Sequence, residues 1–557
     1  MSENLKIGIL LNSIILPAWQ YSIIKEIENS CITGLDLLIK KRTDQSKKKK
    51  LHSYAGFFLL TLHQKIDGLI FYKTNNYSKN KNISDLIENV TVMAVDTVND
   101  GKYEFIKDED LKEIKKHNLD IILKFGFGAL SGEILKIPKY GIWSFPICGN
   151  HDHKEITAGY LEVVEKNPAT GSALVVLKDD ESKDTVIASS WESTCAYSIN
   201  LTRNRIFWRA SLFIPRIIAG INKYGENYFK SLVTRNKNEE IKALNLPEEP
   251  SLGAATRNFF SNILILFRQI GKKIFFSDAF SWALYYKING QNPSLENNYT
   301  TYRKLRPDKD KFWADPFVVY KNERFFVFVE EFIYRKNKGH ISVLELDKTG
   351  NLMNTQRIIE KSYHMSYPFV FEYNGTFYMI PETSSNNTID LYKCVSFPDK
   401  WEYFKNIMND IKAVDTTLYY YNNKWWLFTV IDETNNMSGC ETELFLFYSD
   451  DILSDKWICH PKNPIVADVR SARPAGKIFR HEGKLIRPSQ DCSGRYGNAF
   501  ILNHILNLSE TEYEESPVSR VNPDWDTNLR GTHTYNFDQN FTIIDAYSFR
   551  KRPIMRV

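Results

Sequence analysis

This 557-residue sequence predicts an α/β unit with a mostly parallel sheet, then a helical stretch, then an all-β propeller of five blades. Three observations carry that prediction. Strand-like and helix-like segments alternate over roughly the first 200 residues, as expected where helices cover a parallel sheet. Apolar residues then recur at helical spacing around residue 260. In the second half, one strand-pair pattern returns five times at intervals of roughly 50 to 60 residues, the mark of a repeat architecture.

Taken in chain order, the α/β unit spans 1–205, a helical linker region 206–296 and the propeller 297–557. Predicted strands in the first unit are Lys6 to Asn12, Gly68 to Tyr72, Val90 to Val95, Asp120 to Phe125, Gly141 to Phe145, Ala173 to Leu177 and Val186 to Ser189. No G-x-G-x-x-G follows the first strand, which leaves nicotinamide binding without support. In the linker, Phe260, Ile263, Leu264, Phe267, Ile270 and Ile274 take one side of a helix, and Arg257, Ser261, Arg268 and Lys272 the other. Such a helix suits docking on a neighbouring domain. Basic residues beside Phe and Ile also suit peripheral membrane contact through 257–276. Asn236 to Pro250 reads as an exposed linker.

The five propeller copies open at Asp315, Tyr367, Asp415, Arg473 and His533. Each begins with a polar residue, runs into a short apolar strand, turns at Asn, Glu or Gly, and returns. The start of each inner strand lines the central channel of a propeller. Asp315, Asp415, Arg473 and His533 therefore converge near one axis, a grouping that a purely structural core avoids because desolvating charge is costly.

Bulk composition excludes several classes. Apolar content of 43% and charged content of 25% are those of an ordinary soluble protein. A net charge of +5 without a basic stripe interleaved with aromatics argues against a nucleic-acid partner. The seven cysteines lack metal-ligand pair spacing, so free thiols are expected and no metal site is. Neither a secretion signal nor an apolar run of about 18 residues is evident. The expected location is the cytoplasm, at the inner face of a membrane if the 257–276 helix makes contact.

Asp120 to Leu130, the segment Ile137 to Phe145 and Asn167-Pro-Ala-Thr-Gly together resemble the core of the formyltransferase family, which includes methionyl-tRNA and sugar N-formyltransferases. The resemblance implies a Rossmann-like formyltransferase fold and a cleft for 10-formyltetrahydrofolate. It also implies an Asn, a His and an Asp around the transferred group. Here Pro146 stands where the His should be, and Ser182 falls on or near the Asp position, with Asp184 the only nearby carboxylate. A proline ring carries no proton, so the acid–base contribution is missing. His151 and His153 are the available replacements. The unit thus reads as a catalytically degenerate formyltransferase-like domain, which disfavours 10-formyltetrahydrofolate as cofactor.

Phe312 to Val318, Ser366 to Phe371 and Ile380-Pro-Glu-Thr resemble the propeller region of the plant glucosamine inositolphosphorylceramide transferases and of bacterial surface-glycan proteins. More distantly, the Asp-Pro blade start resembles five-bladed glycoside hydrolases and phosphorylases. The plant transferases carry a separate glycosyltransferase domain that is not visible here. The resemblance implies surface-polysaccharide, capsule or glycolipid biosynthesis without naming the reaction.

Glycosyl chemistry needs one carboxylate to accept a proton and another group to protonate or stabilise what leaves. Asp315, Asp415 and Glu382 are the acid/base candidates. Arg470, Arg473, Arg487, His533, Tyr367 and Glu331 are the substrate-binding candidates, with Asp491 placed to neutralise one arginine. Arginines left free grip phosphate or carboxylate through paired hydrogen bonds. They imply a nucleotide sugar or another phosphorylated donor and a glycan or glycolipid acceptor. The leading expectation is a transferase acting at the propeller mouth. The alternatives are a glycan-recognition propeller without turnover, a propeller hydrolase or phosphorylase, and an active sugar N-formyltransferase. Oligomeric state leaves no trace in the sequence.

Overall fold

The computed structural model describes residues 4–42, 55–71, 76–146, 159–179, 184–235, 256, 260, 264–265, 277–288, 298–434 and 440–552. The chain divides into two compact units, Met1–Ile265 and Leu266–Val557.

The first unit is built on a seven-stranded sheet with the spatial order Thr185–Ser193, Ala169–Val176, Ile142–Ser144, Ile121–Lys124, Leu5–Leu11, Thr33–Lys41 and Thr91–Val95. From Ile142–Ser144 to Thr91–Val95 every pairing is parallel. The two strands at the other edge run antiparallel to their neighbours. Ile121–Lys124 is buried along its whole length, as a parallel strand covered on both faces must be.

Two corrections arise here. Gly68 to Tyr72 is not a strand, because helix Ala55–Ile70 runs through most of it. A short apolar run cannot be told from a helix segment by periodicity alone. Thr33–Lys41, absent from the predicted strands, pairs with Leu5–Leu11 on one side and the edge strand Thr91–Val95 on the other. Its Asp36 and the lysines at its end break the apolar run that marks a buried strand.

Helices Ile199–Ala210, Phe213–Tyr224 and Glu226–Arg235 follow the sheet. Ser198 caps the first of them by accepting from Leu201 N. The amphipathic stretch 257–276 lies almost wholly outside the described residues, as do Lys47 to Lys50, Asn236 to Pro250, Cys148, His151, His153 and Ser182. The six cysteines among the described residues are free. No helix among the described residues is long and apolar enough to cross a membrane.

The second unit is a five-bladed propeller. Blade 1 is Lys311–Lys321, Arg324–Ile333, Lys338–Leu346 and Leu352–Ile359. Blade 2 is Ser366–Tyr373, Thr376–Glu382, Thr388–Ser396 and Lys400–Asn409. Blade 3 comprises Ala413–Tyr421, Lys424–Ile431, Glu443–Ser449 and Ile458–Cys459. Blade 4 comprises Phe479–His481, Lys484–Asp491, Ala499–Leu508 and Tyr513–Val521.

Blade 5 closes the ring by joining the two ends of the unit. Its inner strand Tyr535–Asp538 pairs with Phe541–Arg552, which pairs in turn with Ser277–Ile288 from the start of the unit, register Ser277↔Arg552 to Ile288↔Phe541. Arg303–Leu305 completes it. The predicted helical linker 206–296 therefore contains a propeller strand. The repeat pattern misses it because the closing blade is stitched from strands distant in sequence, so only its inner pair follows the period.

The turns between first and second strands use the two-residue form in which both central residues need φ above zero. Asn322 and Glu323 have φ of 51° and 57°, Asn422 and Asn423 49° and 59°, and Asn374 is followed by Gly375 at 73°. Aromatic side chains fill the spaces between blades. Phe317 meets Tyr367 and Phe369 across blades 1 and 2, and Phe325 meets Phe541 across blades 1 and 5.

Candidate functional site at the propeller axis

The innermost strands of blades 1, 2 and 3 begin with the same irregularity. Pairing with the second strand skips from Ala314 to Phe317, from Ser366 to Phe369 and from Val414 to Thr417. The first residue inside each skip, Asp315, Tyr367 or Asp415, has a φ of 51°, 42° or 52°. Left-handed backbone at a residue other than glycine costs about 1–3 kcal/mol and persists where the surroundings enforce it. Bulges of this kind re-aim side chains, and here they aim three equivalent side chains at one axis.

Blade 5 supplies His533, whose Nδ1 lies 2.8 Å from Asp545 Oδ1. The two Asp545 oxygens also accept the backbone N–H groups of Asp315, His533 and Thr534, at 2.9, 3.1 and 3.0 Å. The other ring nitrogen of His533 is 3.6 Å from Asp315 Oδ1. Thr534 Oγ1 donates to that same Asp315 oxygen at 3.1 Å, and the Tyr367 N–H donates to the other at 3.2 Å. Trp282 stacks on the imidazole at 3.9 Å between ring centres. Ligand-type atoms of Asp315, His533 and Asp545 lie within 4.8 Å of one another. The hydrogen bonds just given already engage the Asp545 carboxylate.

The second half of the cluster centres on Arg473. Its Nε donates to Asp415 Oδ2 at 2.6 Å, and Gln490 donates to the same oxygen at 2.7 Å. The guanidinium also lies 3.6 Å from Glu382 Oε2. Tyr367 is fully buried beside both halves. Its hydroxyl is 2.8 Å from Thr417 Oγ1 and accepts the Gly476 N–H at 2.8 Å. Gly476 is required there, since a Cβ would come within 2.1 Å of Tyr535 O.

Burial pushes the Asp415 carboxyl up to about 7, with Arg473 opposing and Glu382 adding to the rise. Burial likewise pushes Asp315 up to about 6, against the pull of His533 and with the push of Asp415 and Asp545. Desolvation works against charge on His533, but Asp545 and Asp315 more than offset it, so its pKa is raised.

The structure thus brings Asp315, Tyr367, Asp415, Arg473, His533 and Glu382 into one cluster and leaves out the other candidates. Glu331 points away from the channel. It accepts from Trp313 Nε1 at 2.8 Å, lies 3.1 Å from His340 Nε2, and pairs with Lys311 at 3.3 Å. Those partners outweigh burial and hold its carboxyl down at about 2. Arg487 is buried against Glu515, 2.7 and 2.6 Å from its two oxygens. Arg470 pairs with Asp468 on the surface. Asp491 neutralises none of the three predicted arginines and pairs with Arg520 instead. With Arg473 held by two carboxylates, the expectation of freely available arginines fails.

Glu330 is the residue that sequence reasoning missed. It pairs with Ala314 as Glu382 pairs with Ser366, the same place in successive blades. Burial and the charges of Asp315, Glu382, Asp545 and Asp415 raise its carboxyl well above the ordinary range. His364 Nδ1 accepts the Gly339 N–H at 2.9 Å, so its other nitrogen carries the proton and faces Glu330 Oε1 at 3.5 Å. The signal was present in strand alternation, because residue 330 shares its strand face with Phe328 and Phe326 but not with 331.

Residues 300–544 match the sequence profile of a family described as Glucosamine inositolphosphorylceramide transferase 1, N-terminal. The propeller carries this likeness. A rice protein named Glucosamine inositolphosphorylceramide transferase 1 (Oryza sativa subsp. japonica) is 36% identical over 211 residues, covering 37% of this chain and 28% of the relative. The protein of the same name from Arabidopsis thaliana is 33% identical over 210 residues, covering 37% and 27%. The chain thus spans little more than a quarter of the length of these curated relatives. Among solved structures, a GH62 alpha-L-arabinofuranosidase from Coprinopsis cinerea is similar over 44% of this chain and 95% of its own, with 11% identity and a TM-score of 0.33. Zg3597, a family 117 glycoside hydrolase from Zobellia galactanivorans, covers 48% and 90% with 11% identity and a TM-score of 0.30. At those scores the structural likeness carries no argument.

Proposed function

We propose that the propeller is the sugar-handling part of a glycan-related transferase whose chemistry runs at the axial cluster. The observation that carries this reading is the pair Asp315 and Asp415, equivalent in the fold and shifted to about 6 and about 7. Acid–base groups work best near the operating pH. Asp415, protonated near neutrality, donates to the departing oxygen. Asp315, ionised beside His533, accepts the proton of the acceptor hydroxyl. Glu382 and Arg473 set the position and charge of Asp415. The names of the plant relatives support the reaction class. A phosphorylated donor whose phosphate lies away from the axial acids and a glycolipid acceptor complete the proposal, with the basic and apolar stretch 257–276 as the proposed contact with the inner face of a membrane.

The N-terminal unit is, in this reading, a formyltransferase-like sheet that has lost its proton carrier. What supports it is the placement of Pro146 just past strand Ile142–Ser144 and the engagement of Asp184, which accepts the Lys178 N–H at 2.8 Å.

A recognition propeller without turnover is the second reading. It is favoured by the extent to which the cluster satisfies itself: Asp415 and Asp315 are 2% and 4% exposed and already hydrogen-bonded. Titration calorimetry with nucleotide sugars and with 10-formyltetrahydrofolate, followed by mass spectrometry of acceptor glycans, separates the readings. Transfer by the wild type that Asp415→Asn and Asp315→Asn abolish supports the transferase. Binding with no product in any variant supports recognition alone. Sugar released without an acceptor points to a hydrolase, and a formylated product overturns the account of Pro146.

A further inference from the structure

Most of the axial cluster is buried, and one ring beside it is open to solvent. Asp315, Asp415, Arg473 and His533 are 2–7% exposed, whereas Tyr496, which touches both halves of the cluster, is 38% exposed. Its ring lies 5.0 Å from the Arg473 guanidinium carbon and meets His533 edge-on at 5.4 Å and 83°. Tyr496 sits in the loop between Lys484–Asp491 and Ala499–Leu508 of blade 4, which leaves the second strand at the end where Gln490 reaches Asp415.

The shape of that loop depends on its glycines. Gly494 and Gly497 have φ of 71° and 60°, a backbone region that other residues adopt with strain. A side chain at Gly497 would come within 3.0 Å of Trp282 and 3.5 Å of His533. The Thr532 N–H donates to Gly497 O at 2.9 Å, and the Ser493 N–H to Asp491 Oδ1 at 2.8 Å. A partly exposed aromatic ring, backed by a cation and placed over a buried acid–base cluster, is a surface for the apolar face of a sugar ring.

We propose that Tyr496 is the stacking platform that seats a pyranose over the axial cluster, and that the sugar it seats is neutral or carries an amine rather than a phosphate. The first part rests on the transferase reading only in placing sugar at this mouth; it holds equally for a recognition propeller. The second part follows from charge. Among the described residues, Asp315, Glu330, Glu382, Asp415 and Asp545 are set against Arg473, His533 and His364, and Arg473 and His533 are already engaged by carboxylates. An anionic sugar brought to this ring meets more carboxyls than it meets cations.

The test is calorimetric titration of the full chain with glucosamine, N-acetylglucosamine and glucosamine 6-phosphate. Tyr496→Leu keeps bulk without the aromatic face, and Tyr496→Phe keeps the face without the hydroxyl. Removing the face is expected to weaken binding of the first two sugars roughly tenfold, with Tyr496→Phe close to wild type. Thermal unfolding of the variants checks that both fold. Equal binding by wild type and Tyr496→Leu, or no binding of any of the three sugars by wild type, overturns the platform. Tighter binding of the phosphate than of the unphosphorylated sugars overturns the charge assignment. A wild type that binds through Tyr496 but transfers nothing refutes the transferase reading and leaves the platform standing.

Discussion

Glu330 and Glu331 are neighbours on one strand, yet the first faces the axial cluster and the second the opposite face of the blade, beside Trp313 and His340. Burial among like charges raises the carboxyl of Glu330 far above its usual range. The same residue type one position on, given His340, Trp313 and Lys311, is held at about 2. Burial penalises charge at both places, and the partners decide the outcome. The same contrast separates Arg473 from Arg487. Arg487 pairs with a single carboxylate, Glu515, inside blade 4, whereas Arg473 is shared between Asp415 and Glu382 on the axis. The spaces inside the blades hold closed pairs, and the axis holds an excess of acid.

The largest effect expected from breaking this contrast comes from Arg473→Met. It leaves Asp415 and Glu382 facing each other without a cation, at about 3–5 kcal/mol. Urea unfolding at neutral pH should show that loss, and a smaller one in acid, where the carboxyls are protonated. A loss below about 1 kcal/mol at neutral pH would mean that the cluster does not depend on this pair.

Glu331→Gln comes next, at about 1–3 kcal/mol, because it weakens the bonds to His340 and Lys311 in a buried place. Its pKa is lowered on folding from 4.5 to about 2, so its contribution is present above 4.5 and lost as the pH falls through about 2. Acid titration of the wild type against Glu331→Gln should show the two curves converging at low pH.

Asp415 has the opposite sign. Its pKa rises on folding from 3.8 to about 7, so the folded state holds its proton more tightly. The resulting stability is complete below 3.8 and lost as the pH climbs through about 7. Asp415→Asn should flatten the fall in urea midpoint between those limits. An unchanged slope would assign the fall to other groups. The smallest effect is that of Arg470→Ala, a surface pair with Asp468, expected within about 0.5 kcal/mol and without influence on sugar binding.

Much of the propeller was legible because its repeat is local. Each copy carries its polar opening, its turn and its returning aromatic or aliphatic strand within a dozen or so residues, and the five openings do meet. Arg470, Arg487 and Glu331 were misplaced for one reason. A motif read along the chain does not say which carboxylate another strand brings opposite, and Asp468, Glu515 and His340 supplied the missing partners. Glu330 could have been found by strand alternation, once Glu382 was taken as its counterpart in the next blade.

By itself the sequence determined the number of blades, their turns and the residues that open them, because period, turn chemistry and apolar alternation are properties of short segments. Only the tertiary structure decided which ionisable groups are paired, which share the axis and which ring stays open to solvent. Those depend on desolvation and on distances between residues far apart in the chain, such as Asp315 and Asp545 or Asp415 and Arg473, that no local pattern encodes.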